Sequence, residues 1–209
     1  KALFVDYDHD GDLDLFLIRE SVSGSGPRGI LLFRNNGDGT FAEIGDKAGL
    51  GAKAGGGEVD FGDFDEDGDT DLLFAGRGGM ALYTNLRQGR IAEVPGRAGL
   101  PGSPSGALAV ADFDNDGFLD VFSGALYRNR GDGSFARLDS GPALADPVSG
   151  PACFLDYDND GWIDLAIAAP SGGFRLFRNT AGRFEEATVR MPTTAGPVGQ
   201  IAAFDVDAD

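Results

Sequence analysis

The sequence predicts an all-β protein, a β-propeller of four-stranded antiparallel blades. Three observations carry that prediction. A nine-residue acidic loop recurs, starting at residues 6, 63, 112, 156 and 205, with spacings of 57, 49, 44 and 49. Short runs rich in Phe, Leu, Val and Ile, bounded by Gly and Asp, fill the intervals and read as strands. No segment keeps a capped helical period over three turns. A period near 50 residues marks solenoids and propellers, and four antiparallel strands of this length make one blade.

The elements follow in the same order in each period. First strands are expected at Ala2–Asp6, Glu58–Asp63, Ala107–Asp112, Ala152–Asp156 and Ile201–Asp205. Second strands follow the acidic loops at Leu13–Ile18, Thr70–Ala75, Phe118–Ser123 and Ile163–Ala168. Third strands are expected at Ile30–Asn35, Met80–Asn85, Ala125–Asn129 and Phe174–Asn179, each ending in Asn before a turn. Fourth strands open at Phe41, Ile91, Phe135 and Phe184. The repeats occupy approximately residues 1–50, 51–100, 101–145 and 146–195, with part of a fifth at 196–209. Together they form one propeller segment over 1–209. The fifth loop lacks its Gly and ninth Asp, so the pattern is expected to be an arc of a larger propeller, its edges covered by further blades or another copy.

Each acidic loop places Asp at positions 1, 3, 5 and 9 and Gly at position 6. The ligand candidates are Asp6, Asp8, Asp10 and Asp14; Asp63, Asp65, Asp67 and Asp71; Asp112, Asp114, Asp116 and Asp120; and Asp156, Asp158, Asp160 and Asp164. The incomplete fifth loop offers Asp205, Asp207 and Asp209. Carboxylates this close resist ionising beside one another. A hard dication that accepts six to eight oxygens removes the conflict, which points to calcium at about four to five sites. Position 7 varies (Asp12, Asp69, Phe118, Trp162), as expected where only its backbone carbonyl binds. An EF-hand would need Glu at position 12, where Leu17, Phe74, Ser123 and Ile167 stand instead. Magnesium is disfavoured, because it demands octahedral geometry and keeps several waters. The aromatic at position 2 (Tyr7, Phe64, Phe113, Tyr157) is expected to pack beneath its loop.

The net charge is −17, and 19 of the 34 acidic residues stand at these ligand positions. The acidity therefore belongs mainly to the loops, and it argues against nucleic acid and anionic membranes as partners. No apolar run is long enough for a membrane-spanning helix. A single Cys forbids an intrachain disulfide, so metal is expected to serve as the clamp. Weak calcium sites fill where calcium is millimolar, which suggests an extracellular, cell-surface or periplasmic setting.

The repeats resemble the FG-GAP/VCBS units of integrin-α-type propellers. Leu32-Phe33-Arg34-Asn35-Asn36-Gly37-Asp38-Gly39-Thr40-Phe41 and Lys47-Ala48-Gly49-Leu50 are similar to the cartilage acidic protein/UnbV group. The resemblance implies calcium in the first hairpin loop of each blade, bound by the Asp residues named and by the carbonyl at position 7. It also implies a role in adhesion, scaffolding or assembly, with a protein ligand, a glycan or another copy as partner. In repeat 2, Leu86-Arg87-Gln88-Gly89 replaces the Asn-Gly-Asp-Gly turn, and repeat 4 has the shorter Thr180-Ala181-Gly182.

Other motifs are weaker. The GxGxxG within Ser23–Gly29 precedes a strand rather than a helix, so it reads as a loop. Arg130-Gly131-Asp132 falls at a Gly-Asp-Gly hairpin turn, where Gly and Asp serve the backbone. Cys153 is expected to be a small buried hydrophobe. His9 is the sole His, at a non-ligand position, and no nucleophile–base pair is supported. No enzymatic activity is expected. A carbohydrate-binding propeller using exposed aromatics such as Trp162, or the propeller part of a calcium-dependent polysaccharide-degrading enzyme, are the alternatives.

Overall fold

A computed structural model describes residues 2–19, 29–50, 57–76, 79–95, 99–102, 108–139, 150–168, 173–187, 198–199 and 201–203. The chain divides into two compact units, Lys1–Pro104 and Ser105–Asp209, and each holds two four-stranded antiparallel sheets.

In the first unit, blade 1 comprises β1 (Ala2–Val5), β2 (Asp14–Arg19), β3 (Gly29–Asn35) and β4 (Phe41–Glu43). Blade 2 comprises β5 (Gly57–Gly62), β6 (Asp71–Gly76), β7 (Gly79–Asn85) and β8 (Ile91–Glu93). Each strand pairs only with its sequence neighbours, as in a meander. In β2, Asp14, Phe16 and Ile18 are buried while Leu15 and Leu17 are half-buried, the period-two pattern of a strand with one drier face. Phe16, Ile18, Ile30 and Leu32 of blade 1 share one core with Val59, Leu72, Phe74 and Tyr83 of blade 2. Phe16 meets Phe61 edge-on at 4.9 Å between centroids, so the two blades bury what neither could bury alone.

In the second unit, blade 3 comprises β9 (Ala109–Ala111), β10 (Asp120–Phe122), β11 (Leu126–Asn129) and β12 (Phe135–Arg137). Blade 4 comprises β13 (Ala152–Leu155), β14 (Asp164–Ala168), β15 (Phe174–Thr180) and β16 (Arg183–Glu186). Phe113, Phe122, Leu126, Leu165, Ile167, Phe177 and Phe184 form its core.

Second strands begin at the ninth Asp of each loop, not one or two residues earlier as the sequence suggests. The position-8 carbonyls of Leu13, Thr70, Leu119 and Ile163 accept bonds from an Asn side chain instead of entering a ladder. Residues 201–203 form no strand, and the remainder of the expected strand Ile201–Asp205 lies outside the described residues. The GxGxxG segment also lies outside them, except for Gly29 in β3.

A single helical turn, α1 (Gly45–Ala48), was not expected; it runs into the first two residues of the Lys-Ala-Gly-Leu phrase. It ends on Gly49 at φ 103°, and Leu50 then buries in the core. A Cβ on Gly49 would lie 2.3 Å from the Ile91 carbonyl oxygen, so the close approach of blade 2 requires glycine. The rebuilt turn of blade 2 places Arg87 and Gln88 at φ 61° and 55°. In blade 4, Ala181 and Gly182 join the paired residues Thr180 and Arg183 as a two-residue hairpin with both φ positive.

Candidate metal centres

The four complete acidic loops share one backbone scheme. The position-1 Asp accepts the N–H groups of positions 5 and 6: Asp6 from Asp10 and Gly11, both at 3.1 Å, and Asp156 from Asp160 and Gly161 at 3.2 and 2.9 Å. Asp63 and Asp112 do the same. The position-5 Asp accepts the position-7 N–H at 2.9–3.0 Å in all four loops. Position 4 is left-handed throughout (His9, Glu66, Asn115 and Asn159, φ 55–59°), and the position-6 glycines follow at φ 85–96°. Two positive-φ residues, one on either side of the position-5 Asp, turn the chain tightly enough to face the carboxylates inward.

The ninth Asp is the structural anchor. Asp14, Asp71, Asp120 and Asp164 are all buried. In each, Oδ2 accepts the N–H of position 2, and Oδ1 accepts the N–H of the Asn that ends the third strand, the latter at 2.7–2.8 Å. One carboxylate thus joins the loop entry, the second strand and the third strand. Burial pushes these carboxyls upward, to about 6 for Asp71 and about 8 for Asp120, against the lowering effect of their backbone donors. Asp14 and Asp164 are raised for the same reason.

Carboxylate oxygens of positions 1, 3 and 9 lie within 4.8 Å of one another in loops 2, 3 and 4: Asp63, Asp65 and Asp71; Asp112, Asp114 and Asp120; Asp156, Asp158 and Asp164. In loop 1 the gathered set is Asp6, Asp8 and Asp10. Asp67, Asp116 and Asp160 stand at the rim, where they brace position 7. Asp205, Asp207 and Asp209 lie outside the described residues. Oδ1 of Asp8 and Oδ1 of Asp114 are buried and accept no hydrogen bond. A buried carboxylate oxygen without a donor is costly, and a hard cation coordinated by the loop would satisfy it. The donor set, all oxygen with several carboxylates, fits calcium.

The side chains at position 7 lean on their surroundings. Asp69 is buried and pairs with Arg87 of its own blade and with His9 of blade 1, the latter at 3.3 Å. Phe118 covers the hairpin turn at Gly131, where an added Cβ would come within 2.5 Å of its ring. Trp162 is half-buried rather than fully exposed to solvent. Of the position-2 aromatics, Tyr7, Phe64 and Phe113 pack beneath their loops as expected, and Tyr157 is only half-buried. Cys153 is likewise half-buried, and burial pushes its thiol upward. Asp132 of the Arg-Gly-Asp sequence accepts the Ser134 N–H at 3.0 Å within its own turn.

Sequence reasoning missed two sets of residues. The first is the third-strand Arg. Arg128 contacts Asp114 and Asp116 at 2.7 and 2.8 Å, and Arg178 contacts Asp158 and Asp160 at 2.8 and 2.7 Å. In blade 2 the same position is Thr84, whose hydroxyl donates to Asp65 at 3.1 Å. The second set is the Asn that follows. Its Oδ1 caps the next turn through Gly37, Arg87, Gly131 or Gly182. The recurring Arg-Asn pair at 34–35, 128–129 and 178–179 was the available signal.

The FG-GAP-like repeat family matches residues 6–74, 63–123 and 156–209, and the chain belongs to that family. Comparison with curated protein sequences matches nothing. Among solved structures, the fold is similar to a lectin of Agrocybe aegerita described as recognising non-reducing terminal N-acetylglucosamine. The TM-score is 0.60 and the identity 21%, covering 88% of this chain and 51% of that one. At this identity the likeness concerns the fold alone, and the chain spans about half the length of that relative.

Proposed function

We propose that this chain is a calcium-clamped FG-GAP propeller segment that presents a binding surface outside the cell and has no catalysis of its own. The observation that carries the reading is the fourfold Asp loop: each loop gathers three carboxylates, and each buried ninth Asp joins the loop entry to the second and third strands. Bound at such a cluster, calcium supplies positive charge that holds the carboxylates ionised and cross-links the loop to the sheet. The Asp residues at positions 1, 3, 5 and 9 and the position-7 carbonyl would hold it. Adhesion, scaffolding or assembly is then the role of the rigid blade surface, and millimolar calcium suits an extracellular, cell-surface or periplasmic setting.

Calorimetric titration with calcium, paired with thermal melts with and without chelator, tests the proposal. About four binding events and a melting shift of several degrees are expected. Unchanged stability in chelator would overturn it.

A glycan-binding reading has its own support. A cleft of 390 Å³ in the first unit is lined by Tyr7, Asp8, Asp10, Arg34, Lys47 and Gln88, with the aliphatic Ile44 and Ala48 beside them. The lectin that shares the fold makes sugars the first ligands to screen. Binding on a glycan array that is lost in Arg34→Ala would support this reading.

A further inference from the structure

Position 4 of the acidic loops supplies no ligand, yet in each unit it reaches the next loop. In the first unit, Nε2 of His9 in loop 1 lies 3.3 Å from Oδ1 of Asp69, the buried position 7 of loop 2. In the second, the Asn115 side-chain amide of loop 3 donates to the carbonyl of Gly161, position 6 of loop 4, at 3.1 Å. Both contacted residues are braced by candidate ligands of their own loop. The Gly161 N–H donates to Asp156 at 2.9 Å, and the Asp69 N–H donates to Asp67 at 2.9 Å.

A second tie lies beside the first. The Asn85 side-chain amide donates to the Tyr7 carbonyl at 2.7 Å, while the Asn85 backbone N–H donates to Asp71 at 2.8 Å. Asn179 repeats this, with the Phe113 carbonyl at 2.6 Å and Asp164 at 2.7 Å. Positions 2 and 4 of one loop are therefore both held from the next blade, by residues bonded to that blade's own ligand carboxylates. Between them stands position 3, where Oδ1 of Asp8 and Oδ1 of Asp114 are buried and accept no hydrogen bond.

We propose that consecutive loops within a unit fill with calcium cooperatively, loop 1 with loop 2 and loop 3 with loop 4, through the ties at positions 2 and 4. The inference rests on the calcium reading of the loops. An empty loop is loosened by repulsion among its carboxylates. Once loop 4 is closed, Gly161 and Asn179 become a fixed acceptor and a fixed donor for positions 4 and 2 of loop 3. Asp114, between those positions, is then held in place before its own loop fills. Loop 3 loses less conformational freedom on binding as a result. Linkage makes the gain mutual, so disabling loop 3 weakens loop 4. His9 and Asn85 give loops 1 and 2 the same relation.

Calcium titration of the 209-residue chain, read by Trp162 fluorescence, tests this, because the single Trp stands in loop 4. Asp112→Asn with Asp114→Asn disables loop 3 and is expected to weaken the Trp162 transition about fivefold, the lower end of ordinary coupling between sites. Asp6→Asn with Asp8→Asn in the other unit makes the same change of charge and is expected to leave the transition within about twofold, since salt screens distant charges. Asn115→Gly keeps every ligand and suits the left-handed backbone at φ 55°. It is expected to weaken the transition about threefold in the otherwise unchanged chain, and to have no further effect once loop 3 is disabled. Full amplitude at saturating calcium shows that the variants are folded. Four results would each overturn the inference and leave calcium binding standing: a midpoint unmoved by disabling loop 3, a tighter loop 4, an equal weakening by the loop 1 pair, or the same Asn115→Gly effect in both backgrounds. No calcium response in fluorescence or calorimetry would remove the calcium reading itself, and this inference with it.

Discussion

The Asn85 side chain donates to the Tyr7 carbonyl 78 residues away and to the Thr70 carbonyl of its own blade, and it accepts the Arg87 N–H. One buried amide therefore fixes a turn, a loop exit and the neighbouring blade.

Replacing Asn85 by Ala breaks these bonds and leaves the buried Tyr7 carbonyl without its donor. An unsatisfied buried group costs about 1–3 kcal/mol beyond the bonds lost. Asn85→Ala is expected to lower stability by about 3 kcal/mol in urea unfolding, and Asn36→Ala, exposed on the corresponding turn of blade 1, by under about 1 kcal/mol. Equal effects would show that the inter-blade bond contributes nothing special.

Arg178 contacts Asp158 and Asp160, so it opposes a dication at loop 4 by placing a positive charge beside two candidate ligands. Arg178→Met is expected to raise calcium affinity at this site by about threefold, a modest gain because the guanidinium is solvent-screened. Trp162 is the only Trp and belongs to this loop, so its fluorescence reports this site alone. Reduced affinity would mean that Arg178 acts mainly by orienting the ligands.

The pH dependence without metal follows from Asp71 and Asp120, raised by burial to about 6 and about 8. Above an ordinary carboxylate pKa of about 4, the unfolded chain gives up these protons while the fold retains them. Chelator-treated protein is therefore expected to lose stability as pH rises from about 4 to 8, with little further change from this source above 8. Calcium requires the ionised form, so its binding at pH 7 is expected to release protons, read as a buffer-dependent heat. Stability that instead rises steadily over this range in chelator would contradict the assignment.

Gly49→Ala tests the approach of α1 to blade 2. The left-handed backbone and the 2.3 Å contact with the Ile91 carbonyl act together, so a loss of about 2 kcal/mol or more is expected. Gly39→Ala, at φ 85° but with open space around its Cβ, should cost only about 1 kcal/mol. Thermal melts of the two variants decide the matter.

The strand order was legible in the sequence because each acidic loop and each Gly-rich turn punctuates a short apolar run. The pairing of positions 1 and 3 was legible from spacing alone, whereas of the other two expected ligands position 5 joins them only in loop 1 and position 9 only in loops 2, 3 and 4. What stayed hidden depends on residues brought together by the sheet. Asp14 looks like a plain ligand until Tyr7 and Asn35 donate to it from two other segments. Arg178 reads as a solvent-facing strand residue until the hairpin carries it over a loop 18 residues back. Asn115 and Asn159 hint at the left-handed position 4, but His9 and Glu66 do not. The turn α1 is too short to leave a periodic signature.

The ninth Asp also has a mechanical meaning. Peeling β1 away from blade 1 must break the Asp14 bond to Tyr7, and opening β3 must break its bond to Asn35, so both routes pass through one carboxylate. A cation held by that carboxylate's loop stiffens each blade against tension along the chain. If calcium fills the loop as proposed, the force needed to unravel the segment becomes a function of the calcium concentration around it.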